Sequence, residues 1–123
     1  MDKDPLTARV IGCAIEVHRA LGPGLLESVY LHALAHELKL QEIAFKMEQP
    51  LQVGYKDVYL ECGYRIDLLV EGRLIVELKS VEALKGIHTA QTLTYMKLAN
   101  IGTGLLINFN VERLVDGIKR LKI

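Results

Sequence analysis

The stretch Tyr64–Ser80, YRIDLLVEGRLIVELKS, decides how the rest of the chain is read. Leu68-Leu69-Val70 and Leu74-Ile75-Val76 are short apolar runs on either side of Glu71-Gly72-Arg73, so the pattern predicts a hairpin of two interior strands. Set among them are Asp67, Glu77 and Lys79. A buried, unpaired carboxylate is strongly disfavoured or takes up a proton, so the placement needs a compensating partner. Strand side chains alternate between faces. Leu74, Val76 and Leu78 therefore point one way, and Ile75, Glu77 and Lys79 the other. Glu77 and Lys79 become neighbours roughly 6.5–7 Å apart along the strand. The hairpin can bring Asp67 beside Glu77, so two carboxylates and an ammonium are expected to converge at one edge of a sheet.

Such a cluster has a specific chemical use. Two carboxylates can hold a hard divalent ion such as Mg²⁺ while leaving positions for water and a phosphate oxygen. The ion acts as a Lewis acid on the phosphate, and a nearby lysine orients the attacking water or stabilises developing charge. Asp67 with Glu77-x-Lys79 thus suits phosphodiester hydrolysis. The plainer reading is an ordinary ion pair between Glu77 and Lys79, with Asp67 capping a turn.

Other residues are placed around this cluster. Gln91 and Tyr95 stand four apart on a following helix and share a face, with His88 one turn earlier. They can bind a phosphate, a base or the nucleophilic water, or simply be a surface amide and a core aromatic. Glu27 falls in the first turn of an earlier helix, where the helix dipole favours a carboxylate by ~0.3–1 kcal/mol. It is also a candidate third acid. Gly22-Pro23-Gly24 lacks the Gly-Lys-Ser/Thr ending of a phosphate loop and reads as the turn that aims Glu27. His32 and His36 have helical i,i+4 spacing, but Ala33 stands where a zinc protease carries its glutamate and no third ligand is evident. His18 reads as a packed or surface histidine that can approach the cluster.

The predicted order of elements is α-α-β-β-β-β-α-β with a short tail. Asp4 and Pro5 start a helix that runs to about Ala20, and a second spans about Leu25 to Leu40. Ala44–Glu48 and Leu51–Tyr55 read as strands broken by Pro50, followed by a Lys56-Asp57 turn. Val58–Val70 reads as a strand with an irregularity at Gly63, and Leu74–Lys79 as another. A helix over Ile87–Asn100 is a crossover that can make the flanking strands parallel. Leu105–Phe109 is a strand covered on both faces. The tail reads as a helical turn at Glu112–Asp116 and a strand over Ile118–Ile123. The whole is an α/β chain with a mixed central sheet.

At 123 residues the chain suits one domain. Its composition, 50% hydrophobic and 24% charged, is that of a soluble globular protein. No apolar run approaches the ~18 residues of a membrane span, so no membrane association is expected. The acidic start Met1–Pro5 is followed by no apolar segment, which predicts no signal peptide. Cys13 and Cys62 make no metal or redox spacing, and with two lone thiols the expected compartment is the cytoplasm. Net charge is zero, which argues against a sequence-blind polybasic binder. Residues 63–123 nevertheless hold 9 basic and 6 acidic groups, a bias that permits a polyanion partner. Neither a basic stripe nor an aromatic platform for single strands is evident.

The segments VHRALGPGLLESVY and DLLVEGRLIVELKSVEALKGIHTAQTLTYMKLANIGTGLLINFN resemble the GxxExxY protein family, whose motif stands here as Gly24 to Tyr30. That family is placed in the PD-(D/E)XK nuclease-like superfamily, so the resemblance implies a restriction-endonuclease-like α-β-β-β-α-β core. It implies that Asp67 and Glu77 are metal-binding acids, that Lys79 is the catalytic lysine, and that Glu27 stands at the edge of the site. Gln91 and Tyr95 match the superfamily's Gln-x-x-x-Tyr helix motif. The implied function is a Mg²⁺- or Mn²⁺-dependent nuclease acting on DNA or RNA, with the Leu78 carbonyl as a further metal ligand. A nucleic-acid or nucleotide binding module without useful turnover, and a structural or regulatory partner, are the competing readings. A nuclease of this size that cuts two strands gains from being a homodimer.

Overall fold

The computed structural model describes residues 4–123, apart from the side chain of Cys62. Met1–Lys3, on which the signal-peptide reading partly rests, lie outside the described residues. The elements run α1 (Pro5–Leu21), α2 (Glu27–Leu40), β1 (Phe45–Tyr55), β2 (Val58–Val70), β3 (Leu74–Lys79), α3 (Gly86–Ala99) and β4 (Thr103–Asn108). A 3₁₀ turn (Leu114–Gly117) and β5 (Ile118–Lys122) complete the chain. None of the helices is long and apolar enough to cross a membrane among the described residues.

Local chemistry sets the helix boundaries. The Asp4 carboxylate accepts from Leu6 N–H at 3.1 Å and from the Thr7 hydroxyl at 2.8 Å, with Pro5 in the first turn. At the far end Gly22 takes φ 69° and Gly24 φ 97°, conformations that side chains disfavour. Leu26 stays extended, so α2 starts at Glu27, two residues later than the apolar spacing predicts.

The sheet has the order β1-β2-β3-β4-β5. β3 and β4 are parallel and joined through α3, while the other pairs are antiparallel. α1 and α2 cover one face, where Leu68, Val70, Leu74, Val76 and Leu78 join their core. α3 covers the other face, with Tyr95 and Met96 against Ile66 and Ile75. This is the expected mixed α/β architecture. Pro50 does not split the strand that contains it. β1 is an edge strand, where a missing N–H is tolerated. The irregularity falls opposite, since Pro50 pairs with Arg65 and Gln52 with Glu61. Three residues of β2 thus face Leu51 alone, and Gly63, at φ 74°, lies in that bulge. β3 pairs only with Leu68–Val70, so the remainder of β1 and β2 projects as a two-stranded arm. Its tip is Lys56-Asp57, both at positive φ as a tight hairpin turn demands.

Two close approaches fix the layers around the ends of β4. A methyl group on Gly104 would lie 2.6 Å from Met96 Sδ, so α3 sits close on β4. A methyl group on Gly117 would run into the carbonyl oxygen of Asn108. Asn108 is buried, and its side chain accepts from the N–H groups of Val81 and Asn110 and donates to the Val81 carbonyl. Gly117→Ala is therefore expected to cost about 1–3 kcal/mol, because a backbone carbonyl cannot swing aside. Gly104→Ala should cost less, since Met96 can change rotamer. Urea unfolding of both variants, read as a change in midpoint at constant slope, checks the order.

Candidate active site

The ladder between β2 and β3 stops where Asp67 and Glu77 would next face each other. Their side chains take over from the backbone. Asp67 N–H donates to Glu77 Oε2 at 2.7 Å, and Leu78 N–H donates to Asp67 Oδ2 at 2.8 Å. Glu77 is only 4% exposed, while Asp67 and Lys79 are half-buried. The acids thus meet at a fork between two interior strands, not along an outer edge of the sheet. β2 also changes faces here. Ile66 packs on the α3 side while Leu68 and Val70 pack on the α1–α2 side.

Burial pushes the Glu77 carboxyl up to about 8, and the charge of Asp67 adds to the shift; the Asp67 N–H and the Lys79 ammonium oppose it. Burial likewise raises Asp67, to about 6, against the pull of the Leu78 N–H. Glu27 raises both and Lys79 lowers both, so the fold brings all four charged groups into one electrostatic neighbourhood. Glu48 also raises Asp67. It lies in β1 at φ 53°, between the pairs that flank Asp67, and is held by Arg65 at 3.2 Å. Glu27, His32, Glu48, Arg65 and Asp67 line a hollow of about 310 Å³ beside the fork.

Glu27 owes its position to residues that carry no site chemistry. The Tyr30 hydroxyl donates to the Gly22 carbonyl at 2.6 Å and accepts from Leu25 N–H at 3.1 Å. Its ring, fully buried, stacks on Phe109 at 4.6 Å between centroids. From the end of β3 the Ser80 hydroxyl donates to the Leu25 carbonyl at 2.6 Å. The turn before Glu27 is therefore tied both to its own helix and to the segment that follows Lys79. Glu48, Tyr30 and Ser80 were not singled out by sequence reasoning. The spacing Gly24-x-x-Glu27-x-x-Tyr30 was its one signal, and it says nothing of what Tyr30 bonds.

Tyr95 lies on α3 over the sheet face that carries Ile75, Glu77 and Lys79, and Gln91 is one turn nearer the N-terminus of that helix. Tyr95 is also a core aromatic, in ring contact with Tyr64 at 5.9 Å. His88 accepts from Lys85 N–H at 3.0 Å and so caps α3. His18 is packed away from the fork, donating through Nε2 to the Val111 carbonyl at 2.8 Å. His32 donates through Nδ1 to the Ser28 carbonyl. Among the described residues, no three His, Cys, Asp or Glu side chains are grouped to hold a metal, which gives the His32–His36 pair no third ligand. The fork does fit a hard ion that keeps part of its water shell. Mg²⁺ is typically bound through one or two carboxylates with the remaining positions left to water and phosphate. Two acids that resist ionisation because of burial and neighbouring carboxylates are suited to such a charge.

A family model described as the PD-(D/E)XK nuclease superfamily matches residues 4–121. The chain belongs to the PD-(D/E)XK nuclease superfamily. Searches of curated proteins and of solved structures find no match. Nucleases of this superfamily generally use divalent metals, in keeping with the donor set at the fork.

The raised carboxyls have a consequence for stability. The folded chain holds protons on Glu77 and Asp67 that the unfolded chain releases near 4.5 and 3.8. Without metal, stability should fall as pH rises from about 4 to about 8, by several kcal/mol (roughly 5–8), and then level off with respect to these groups. Glu77→Gln keeps an acceptor for Asp67 N–H and removes the charge. It should flatten this slope and melt higher than wild type at pH 8, by roughly 10 °C. Melting in EDTA across the pH range checks both; a Glu77→Gln chain that melts well below wild type would instead mark a structural ion pair. Tyr30→Phe removes the hydroxyl that bonds the backbone of Gly22 and Leu25 and should cost about 0.5–1.5 kcal/mol in the same assay.

Proposed function

We propose that this chain is a divalent-metal-dependent nuclease that hydrolyses phosphodiester bonds in DNA or RNA. The observation that carries the reading is the fork itself: two acids with raised pKa, crossed onto each other's strands, with Lys79 on the same face, in a chain of a nuclease superfamily. Asp67 and Glu77 hold Mg²⁺ or Mn²⁺, with the Leu78 carbonyl as a further oxygen donor. When bound, the ion supplies Lewis-acid polarisation of the scissile phosphate and neutralises the acid pair.

Lys79 directs its ammonium to the attacking water and to the phosphate oxygens, where negative charge grows in the transition state. Glu27, on the opposite wall, accepts a hydrogen bond from the water and fixes its approach. Gln91 and Tyr95 hold the substrate strand against α3. Buried acids that ionise reluctantly without a cation are consistent with a site that charges when it loads.

Lys79→Ala should lower turnover by about 10²–10³-fold, the scale of losing one preorganised charge-stabilising group. Its Mn²⁺ affinity should hold or rise, since a nearby positive charge is gone, whereas Asp67→Ala should lose Mn²⁺ binding in calorimetry. Cleavage time courses with Mg²⁺ and Mn²⁺ on single-stranded DNA, duplex DNA and RNA provide the test. Wild type that cuts none of these above the Lys79→Ala background would leave binding without turnover as the better reading, and equal Mn²⁺ affinity in Asp67→Ala would remove the metal site.

A further inference from the structure

Read along the chain, the tyrosines form no platform; the fold assembles one. On the projecting arm Tyr59 is 78% exposed, and Tyr64, at the arm's root, is 50% exposed. Isolated exposed aromatics are common and need no explanation. These two, however, lie on a path. Tyr64 rests against Tyr95 at 5.9 Å between ring centroids, and Tyr95 shares a helix face with Gln91 above the fork. Tyr59 forms one wall of a groove of about 490 Å³ whose other wall is Leu98 and Ala99, one turn beyond Tyr95 on α3. Ile66, Leu69, Leu98 and Ala99 of this groove pack in one cluster with Tyr95 and Ile75, and Ile75 shares its face of β3 with Glu77 and Lys79. The groove therefore lies on the sheet face that carries Glu77 and Lys79.

The walls indicate what the groove takes. Gln49 and Gln52 also line it, and the Gln52 amide donates to the Glu61 carboxylate at 2.8 Å, so the polar rim offers hydrogen bonds but no net positive charge. A phosphate would find no cation there. A flat, polar-edged ring would find an aromatic face, an apolar floor and amide groups at its rim. A second copy of the chain is the other occupant an exposed arm invites, but interface cores are depleted of charged residues and Glu61 stands in this wall. We propose that the surface between the arm and α3 binds unpaired bases of a single-stranded nucleic acid whose backbone lies at the fork, with Tyr59 in the groove wall and Tyr64, against Tyr95, as its stacking platforms. The inference rests on the nuclease reading of the fork and makes its substrate single-stranded. A duplex keeps its bases stacked inside and cannot present one to the groove without unpairing it. Stacking is tolerant of sequence because every base has a π-face, so little sequence preference is expected. It also lets a chain with no net charge retain a strand without a basic stripe.

The test is fluorescence anisotropy with labelled oligothymidine, labelled oligouridine and a blunt DNA duplex, in EDTA so that nothing is cut. Wild type should bind single strands more tightly than duplex. Tyr59→Ala should weaken single-strand binding about 10-fold, equivalent to ~1.4 kcal/mol, and Tyr59→Trp should restore it. Tyr64→Ala should weaken it similarly, with duplex affinity unchanged in each variant. Tyr59 is exposed, so its variants should melt as wild type does. The proposal fails if Tyr59→Ala binds single strands as wild type does, if wild type binds no single strand, or if duplex is preferred. It also fails if sedimentation shows a wild-type dimer that Tyr59→Ala dissociates without loss of nucleic-acid affinity, which would make the groove a homodimer surface. Failure of the nuclease reading is separable. Tyrosine-dependent binding with no cleavage under Mn²⁺ supports the groove and counts against the enzyme, while cleavage untouched by Tyr59→Ala does the reverse.

Discussion

Two hydrogen bonds hold this structure at its decisive point: Asp67 N–H to Glu77, and Leu78 N–H to Asp67. Strands that separate inside a sheet leave backbone donors without ladder partners, and a buried donor without a partner is costly. Here carboxylates serve as those partners. The opening they sustain lets β2 turn from one core to the other between Leu68 and Ile66, and it frees the outer part of the β1–β2 hairpin from β3. One exchange of partners thus yields both the acid pair and the arm.

The arrangement has an electrostatic cost. Each carboxylate gains a backbone hydrogen bond and loses most of its water, and burial is the larger effect on both. Lys79 offsets part of it, while Glu27 and Glu48 add to it. Gathering acids beyond what one lysine balances destabilises the fold that holds them, a common trade between stability and function.

Rigid packing around the fork keeps these charges in place. Tyr30 and Ser80 tie the turn before Glu27, Asn108 ties the segment after Lys79, and Phe109 stacks under Tyr30. These contacts fix the segments that carry Glu27 and follow Lys79, so the geometry of a small polar site depends on a surrounding frame of side chains. His18 belongs to that frame, through its bond to Val111, and not to the chemistry.

Much of this was legible in the sequence because it follows from local rules. Alternation in Leu74–Lys79 placed Glu77 and Lys79 on one face, turn chemistry located Lys56-Asp57, and glycine marked the β2 bulge at Gly63. The crossover helix implied the parallel β3–β4 pair. The pattern of Asp67 with Glu77-x-Lys79, joined to the Gly24–Tyr30 motif, pointed to the superfamily. Other features depend on which distant segments meet. Pro50 reads as a strand break until β1 is known to be an edge strand. Glu48 reads as a strand residue until β2 places Asp67 opposite it. The partners of Tyr30 and Ser80 come from the turn before α2 and the segment after β3, which no spacing rule relates. The sequence by itself determined the elements and the residue types of the site, because periodicity and turn preference act over a few residues. Only the tertiary structure decided that the acids lie at an interior fork and that Tyr59, Tyr64 and Tyr95 face a common side, because those relations depend on the register and bulges of paired strands.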